Sequence, residues 1–347
     1  MRLDEPAWWY ATDGSHAAPR LLSPLARAYG WAVERRFLKA TPYRATIPVI
    51  CIGNFTVGGT GKTPLSRFLL RTLAAQGVTP ACLTRGYGGS LSGPAWVDPE
   101  RHAAREAGDE PLLIAEDARV LIARDRAAGL AAIEQEGSIA AVVMDDGLQN
   151  PSVHKDLTIA LVDAGRGFGN GSVFPAGPLR ARLEFQLGLV DCIVVIGDDP
   201  PDGPPPVFED LKRRFPGPVL RGRVTPAGET DGIAGARVLA YAGIANPGRF
   251  FRLVESFGPE ALQARAFPDH HAFTEREAAR LLSEADATDA VLMTTEKDLA
   301  RLVGATGDLA RLKARSRTLP IEVTFEERDL LRLHALVDGA LKADARG

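Results

Sequence analysis

Cysteine is scarce: the 347 residues hold 3, and Cys51, Cys82 and Cys192 stand far apart, each inside an apolar run that reads as a strand. Such spacing excludes a disulfide framework or a zinc set. The three read as reduced core residues, as expected in a cytosolic compartment. Long hydrophobic runs are missing too. Nowhere do about 18 consecutive apolar residues occur, so no transmembrane helix is expected. The start, Met1-Arg2-Leu3-Asp4-Glu5-Pro6, puts acids and a proline where a secretory signal needs a basic and then an apolar stretch. Neither sign of charge is in large excess: the net charge is -3, which gives no general attraction to nucleic acid. No nucleic-acid motif or internal repeat stands out. With 45% hydrophobic and 24% charged residues the composition is ordinary for a globular chain. The length suits two domains of about 100–200 residues each.

What is present gathers around residues 51–64, CIGNFTVGGTGKTP. An apolar run over 47–52 leads into a glycine-rich turn, then Lys62 and Thr63, then the apolar-periodic PLSRFLLRTLAAQG. Strand, phosphate loop and helix follow in that order. In such a loop small residues let backbone N–H groups close around phosphate oxygens and the helix N-terminus adds a positive field. Lys62 then reaches the β- and γ-phosphates, and Thr63 ligates Mg2+. The pattern G-x-x-x-x-G-K-[ST] has its first glycine at position 56, where this chain carries Thr56. Gly58, Gly59 and Gly61 keep the turn permissive for positive φ. The alternative is an ordinary glycine-rich turn with a surface lysine.

Residues 1–46 form a leader with Trp8, Trp9, Tyr10, Tyr29 and Trp31 interleaved with arginines. Aromatic rings beside arginines suit a bilayer interface, and 21–38 is apolar at nearly helical spacing, interrupted by Pro24 and Gly30. A helix packed on the protein's own core is the alternative. After the loop, a strand over 81–84 runs into Arg85-Gly86-Tyr87-Gly88-Gly89, which places Arg85 to meet phosphate unless it is simply solvated. Gly108-Asp109-Glu110-Pro111 opens a helix, where Asp109 serves either as an N-cap or in the site. A strand over 120–122 and a helix over 124–136 containing Arg126 continue the alternation. The run 139–144 reads as a strand buried on both faces and ends in Asp145-Asp146-Gly147, where a Mg2+-binding acid belongs. A strand over 157–163 precedes a long aperiodic segment, 164–183, with Arg180 and Arg182 at its end, and such a loop is usually functional. A strand over 192–196 closes the series. The proline-rich 198–210 and 215–218 read as a linker, with a domain boundary near 222.

The second part restarts the alternation with strands over 237–241 and 290–294 and a helix over 248–257. Phe267-Pro268-Asp269-His270-His271 sits just before Thr274-x-x-Glu277, a capping box, so the Asp-His-His cluster lies in a loop at a helix N-terminus. Adjacent histidines with no third ligand nearby do not make a zinc site. Thr295-Glu296-Lys297-Asp298 follows a strand, 321–325 supplies another, and 327–343 is helical by pattern. The expected division is 1–46 as an amphipathic membrane-associating segment, 47–222 as a phosphate-loop domain, 223–325 as a smaller α/β domain, and 326–347 as a helix returning to the first. The fold class is α/β: a P-loop NTPase-like, mostly parallel sheet flanked by helices, with a second smaller α/β domain.

GNFTVGGTGKTP, Arg-Gly-Tyr-Gly at 85–88, Gly-Asp-Glu-Pro at 108–111, Asp-Asp-Gly-Leu-Gln at 145–149, Pro-Ala-Gly-Pro-Leu-Arg at 175–180, the Asp-His-His loop and Thr-Glu-Lys-Asp resemble the tetraacyldisaccharide 4'-kinase family of the lipid A pathway. The match runs in order over nearly the whole chain, and that family's loop reads TVGGTGKT, so Thr56 fits it. The resemblance implies transfer of the ATP γ-phosphate to the 4'-hydroxyl of tetraacyldisaccharide 1-phosphate, giving lipid IV-A. It implies two α/β domains with the nucleotide between them, and a peripheral enzyme on the cytoplasmic face of the bacterial inner membrane. Asp109 and His270 would act on the acceptor hydroxyl, with Lys62 and Arg180 assisting. Thr56, Val57, Gly58, Gly59, Thr60, Gly61, Lys62 and Thr63, with Arg85 and Arg126, would hold ATP. Mg2+ would fall to Thr63, Asp145, Asp146 and Glu110.

Two positions depart from the family pattern: Asn150, where it often has His, and Ala181, where it often has Glu. The expected partners are the lipid substrate and the membrane leaflet, with no nucleic acid and no obligate protein partner. Rival readings are a phosphate-loop kinase of a soluble metabolite and a nucleotide-dependent switch.

Overall fold

Residues Val49–Asn54 are buried without exception, and their side chains alternate between two cores. Ile50 and Ile52 face Leu65, Leu69 and Leu73, whereas Val49 and Cys51 face Leu130 and Ile133. A strand that is buried at every position needs helices on both faces, and this one has them.

The computed structural model describes residues 5–11, 16–197, 203–228 and 232–343. Residues 1–4, the 198–202 part of the expected linker and the last four residues of the tail lie outside the described residues. In chain order, α1 (Ala18–Lys39), β1 (Val49–Asn54) and α2 (Lys62–Ala75) come first. Then follow β2 (Pro80–Thr84), β3 (Ala95–Trp96), α3 (Ala104–Ala107), α4 (Asp109–Ile114), β4 (Arg119–Ile122), α5 (Arg126–Glu136) and β5 (Ala141–Asp145). After them come β6 (Leu157–Asp163), α6 (Leu183–Leu187), β7 (Cys192–Ile196), α7 (Pro206–Arg214) and β8 (Val219–Pro226). The remaining elements are β9 (Arg237–Ala242), α8 (Pro247–Glu255), β10 (Ala261–Ala266), α9 (Glu275–Thr288), β11 (Val291–Thr294), α10 (Glu296–Arg301), α11 (Gly307–Arg315), β12 (Ser316–Thr318), β13 (Ile321–Phe325) and α12 (Glu327–Ala343).

A nine-stranded sheet has the order β13-β8-β7-β6-β1-β5-β2-β4-β3, and a four-stranded sheet the order β10-β9-β11-β12. All pairings are parallel except β13 with β8 and β3 with β4. The fold is therefore α/β, a mostly parallel sheet flanked by helices, with a second smaller parallel sheet. β1 lies between β5 and β6, where the strand order reverses, so its carboxyl end opens the crevice in which ligands of such sheets bind. α12 returns to the large sheet: Leu333, Val337 and Ala340 join the core of Ile50 and Leu65.

Several expectations are corrected. The proline-rich stretch is not all linker, because Pro206 begins α7, where its fixed φ suits a first helical turn. The boundary placed near 222 falls inside β8, which pairs in parallel with β7. β13, expected in the smaller unit, pairs with β8 of the large sheet. The helix of the leader runs unbroken through Pro24 and Gly30. Trp9, grouped above with rings suited to a bilayer, is buried in the protein, its indole Nε1 donating to the Pro175 carbonyl at 3.2 Å.

Candidate functional site

The glycine-rich loop leaves β1 and ends at Gly61, whose φ of 86° supplies the left-handed turn that starts α2. Strand β1 must also approach the acidic loop closely. A Cβ on Gly53 would lie 2.4 Å from that of Leu148. The end of the long 164–183 segment braces the loop from outside: Val57 N donates to Pro178 O at 2.7 Å, Arg180 N to Phe55 O at 2.8 Å, and Arg180 Nε to Thr56 O at 3.0 Å. From the leader, Glu5 packs one carboxylate oxygen against Gly58, and its other oxygen accepts from Arg166 at 2.8 Å and Tyr10 at 3.0 Å.

Thr60 Oγ1 and Arg126 Nε are buried among the described residues without a hydrogen-bond partner. Buried donors are normally paired, so an orphaned hydroxyl in the loop and an orphaned guanidinium N–H fit a bound phosphate. Lys62 and Arg180 converge on one carboxylate, Asp146, at 3.6 and 2.7 Å. Burial opposes its ionisation, but these two cations outweigh burial and hold the carboxyl well below the usual range. Asp145, at the end of β5, is instead pushed up to about 6 by burial and by the charge of Glu110. It accepts from Ser66 Oγ at 3.0 Å. Arg85 is exposed at the end of β2, although its charge reaches Arg126.

The two sheets meet where α4 packs on α10. Asp109 is 3% exposed and is not an N-cap, since Gly108 occupies that position. Its Oδ2 lies 3.1 Å from His270 Nδ1 and accepts from Arg301 Nε at 2.8 Å. Burial again opposes ionisation, and the His270 hydrogen bond and the Arg301 charge hold the carboxyl far below its ordinary range. His270 adopts φ 54°, left-handed backbone that costs on the order of 1 kcal/mol outside glycine and persists only where neighbours fix it. Its N–H donates to Gly243 O at 2.9 Å. His271 points elsewhere: its Nε2 lies 3.0 Å from Glu277 Oε2, and its ring stacks on Phe267. One residue along α4, Glu110 pairs with Lys297 of α10.

Sequence reasoning missed Arg301, Lys297 as the partner of Glu110, and Glu5. Thr-Glu-Lys-Asp was singled out without a role. In the structure that segment opens α10, which carries Arg301 three residues after Asp298, with which it pairs at 2.6 Å. The two departures also have a structural setting. Ala181 is fully buried, and its carbonyl accepts from Gln186 Nε2 at 2.8 Å, while Gln186 Oε1 accepts from Gln149 Nε2 at 2.7 Å. Asn150 Oδ1 accepts from Ser152 N at 2.8 Å, within its own turn. Among the described residues no three His, Cys, Asp or Glu side chains form a closed metal cage. No described helix is long and apolar enough to cross a membrane.

The family model for Tetraacyldisaccharide-1-P 4'-kinase matches residues 18–338. A tetraacyldisaccharide 4'-kinase of Nitrobacter winogradskyi is 42% identical over 339 residues, covering 97% of this chain and 98% of that one. One of Rhodospirillum centenum is 45% identical over 331 residues, covering 94% of each. The crystal structure of the "apo" form of LpxK from Aquifex aeolicus in complex with ATP superposes with a TM-score of 0.72 at 23% identity, covering 93% of this chain and 99% of that one, a likeness of fold. On a family match of that span and relatives aligned over almost their full length, the chain belongs to the tetraacyldisaccharide-1-P 4'-kinase family.

Proposed function

We propose that this chain transfers the γ-phosphate of ATP to the 4'-hydroxyl of a tetraacylated glucosamine disaccharide 1-phosphate, releasing ADP and lipid IV-A. The observation that carries this reading is the Asp109–His270 pair, 3.1 Å apart, formed between the two sheets beside a phosphate loop. We read the two sheets as domains that hold ATP between them. In support, a Cβ on Gly59 of the loop would lie 3.4 Å from Ala245 of the smaller unit.

Phosphoryl transfer needs alignment and neutralised charge more than covalent help. Thr60 and Arg126 offer unpaired donors, and Lys62 and Arg180 are cations that phosphate oxygens draw away from Asp146. Mg2+ would be held by Thr63 and Asp145, with Asp146 and Glu110 as further carboxylates, and when bound it neutralises charge on the phosphates. A sugar hydroxyl is a weak nucleophile until its proton is taken, and the Asp109–His270 pair takes it.

The acyl chains of such a substrate lie in a bilayer, so the enzyme works as a peripheral protein at the cytoplasmic face of the inner membrane. Leu21, Leu25, Trp31 and Leu38 of α1 are exposed by 60% or more, an apolar surface suited to the interface. Beside it, α1 and residues 172–182 frame an open cleft of about 340 Å3 whose lining mixes Ala26, Trp31 and Val173 with Arg27, Glu34 and Arg182.

The test is incubation with ATP and tetraacyldisaccharide 1-phosphate in detergent, with the lipid weighed by mass spectrometry. Gain of one phosphoryl group is expected. ATP hydrolysis with unchanged lipid overturns the reading in favour of a switch, and phosphorylation of a soluble sugar in its place favours a metabolite kinase.

A further inference from the structure

We propose that Arg301 is the positioning residue that assembles the Asp109–His270 pair, so that the pair exists only while α10 is docked on α4. One guanidinium reaches both halves of the pair. Its Nε and Nη2 donate to Asp109 Oδ2, the oxygen that also faces His270 Nδ1. Its Nη1 donates to Gly243 O at 2.7 Å, and the same carbonyl accepts the His270 backbone N–H at 2.9 Å. Arg301 thus ties the carboxylate to the carbonyl that holds the histidine in its left-handed conformation.

The arginine is itself held. Nη1 also donates to Asp298 Oδ1 at 2.6 Å, and Asp298, fully buried, accepts from Gly243 N at 3.1 Å and from Thr295 Oγ1 at 2.6 Å. The Arg301 and Asp109 side chains are 9% and 3% exposed, so neither charge finds substitute solvation in water. A planar fork that serves three acceptors in fixed directions is a role for arginine, and a lysine supplies the charge without the fixed directions. Arg301 touches Asp109, the Gly243 carbonyl and, 3.4 Å from its Nη2, His270 Nδ1, and acts through them. The Asp109 oxygens are already taken by Arg301, His270 and the Glu110 N–H at 3.0 Å, so the orientation of the carboxylate is fixed before any acceptor arrives.

The turnover arm of the test rests on the kinase reading, and the spectroscopic arm does not. Full-length Arg301→Met and Arg301→Lys are compared with wild type. Arg301→Met is expected to lower kcat about 10²-fold while the KM for ATP changes less than about threefold, as for loss of a preorganised group outside the nucleotide pocket. Arg301→Lys is expected to recover about tenfold of that loss, because the charge returns without the fork. Arg315→Met, which removes an exposed arginine paired with Asp286 and taking part in none of these contacts, should leave kcat unchanged. Independently of turnover, the ring nitrogen resonances of 15N-labelled His270 should move in Arg301→Met as they do in Asp109→Asn. Unchanged His270 resonances in Arg301→Met, or kcat within threefold of wild type in both Arg301 variants, would overturn the proposal. Wild type that phosphorylates no lipid, with the His270 resonances still moved in Arg301→Met, defeats the kinase reading and leaves the positioning role standing.

Discussion

Lys297 of α10 and Glu110 of α4 form an ion pair between the two sheets, one residue along α4 from Asp109. The side chains are 28% and 25% exposed, so the pair is shielded without being dry. Burial disfavours both charges, yet each partner holds the other ionised: Glu110 is lowered by Lys297, and Lys297 is raised by Glu110. With Arg301–Asp109 it gives the α4–α10 contact two charge pairs, and Arg67 of α2 adds another to α10 through Glu296 at 3.0 Å.

Lys297→Met should therefore destabilise the protein by about 1–2 kcal/mol, mostly because Glu110 loses its partner. Lys297→Met/Glu110→Gln should recover most of that. Thermal unfolding of the four members of the cycle measures it, and additive losses would show that the pair does not couple the helices.

Asp145 carries the opposite strain. Its folded-state value of about 6 lies above that of an ordinary carboxylate, so the folded protein binds this proton more tightly than the unfolded chain. Its contribution to stability is present below about pH 4 and is lost as pH rises to about 6. Asp109 and Asp146, held low, contribute in the other sense: their stabilisation is present above about pH 4 and is lost as pH falls through their folded values. Asp145→Asn, which keeps an acceptor for Ser66, should raise stability at pH 7 by up to about 3 kcal/mol and abolish Mg2+-dependent turnover. Denaturant curves at pH 4, 6 and 7 check the first part, and a stability difference independent of pH would contradict it.

Much of this arrangement was legible in the chain, for local reasons. β6 over 157–163 and α12 over 327–343 fall where apolar pattern places them, and Thr274 caps α9 through the expected box with Glu277. Local pattern fails where an element is defined by a neighbour. β10, mostly exposed or half-exposed and not strongly apolar, is a strand because it pairs along β9, and β12, three residues long, because it pairs with β11. The site divides the same way. Lys62, Thr63 and Asp145 announce themselves by position after a strand, whereas Arg301 and Asp109 are separated by 192 residues and meet only through the packing of α4 on α10. Trp9 was misread because an aromatic beside arginines looks the same in sequence whether its ring meets lipid or the 164–183 loop.

The exposed face of α1 gives a prediction separate from chemistry. Replacing Leu21, Leu25, Trp31 and Leu38 by serine should weaken binding to lipid vesicles at least about tenfold, since each burial of such a side chain at an interface is worth on the order of 1 kcal/mol. ATP affinity should not change. Vesicle flotation of the variant equal to wild type would remove α1 as the membrane contact.

In the phosphate loop, Lys62→Ala should reduce turnover about 10²–10³-fold and release Asp146 to Arg180 alone. Near wild-type rates would mean that Lys62 does not meet the transferred phosphoryl group.

Single-turnover transfer from γ-labelled ATP to tetraacyldisaccharide 1-phosphate, in wild type and Asp109→Asn, bears most directly on the central claim. The expected result is label in the lipid at the 4' position with wild type, and transfer about 10²–10³-fold slower in Asp109→Asn with ATP affinity unchanged. Unlabelled lipid with wild type, or equal rates in the two proteins, would contradict it.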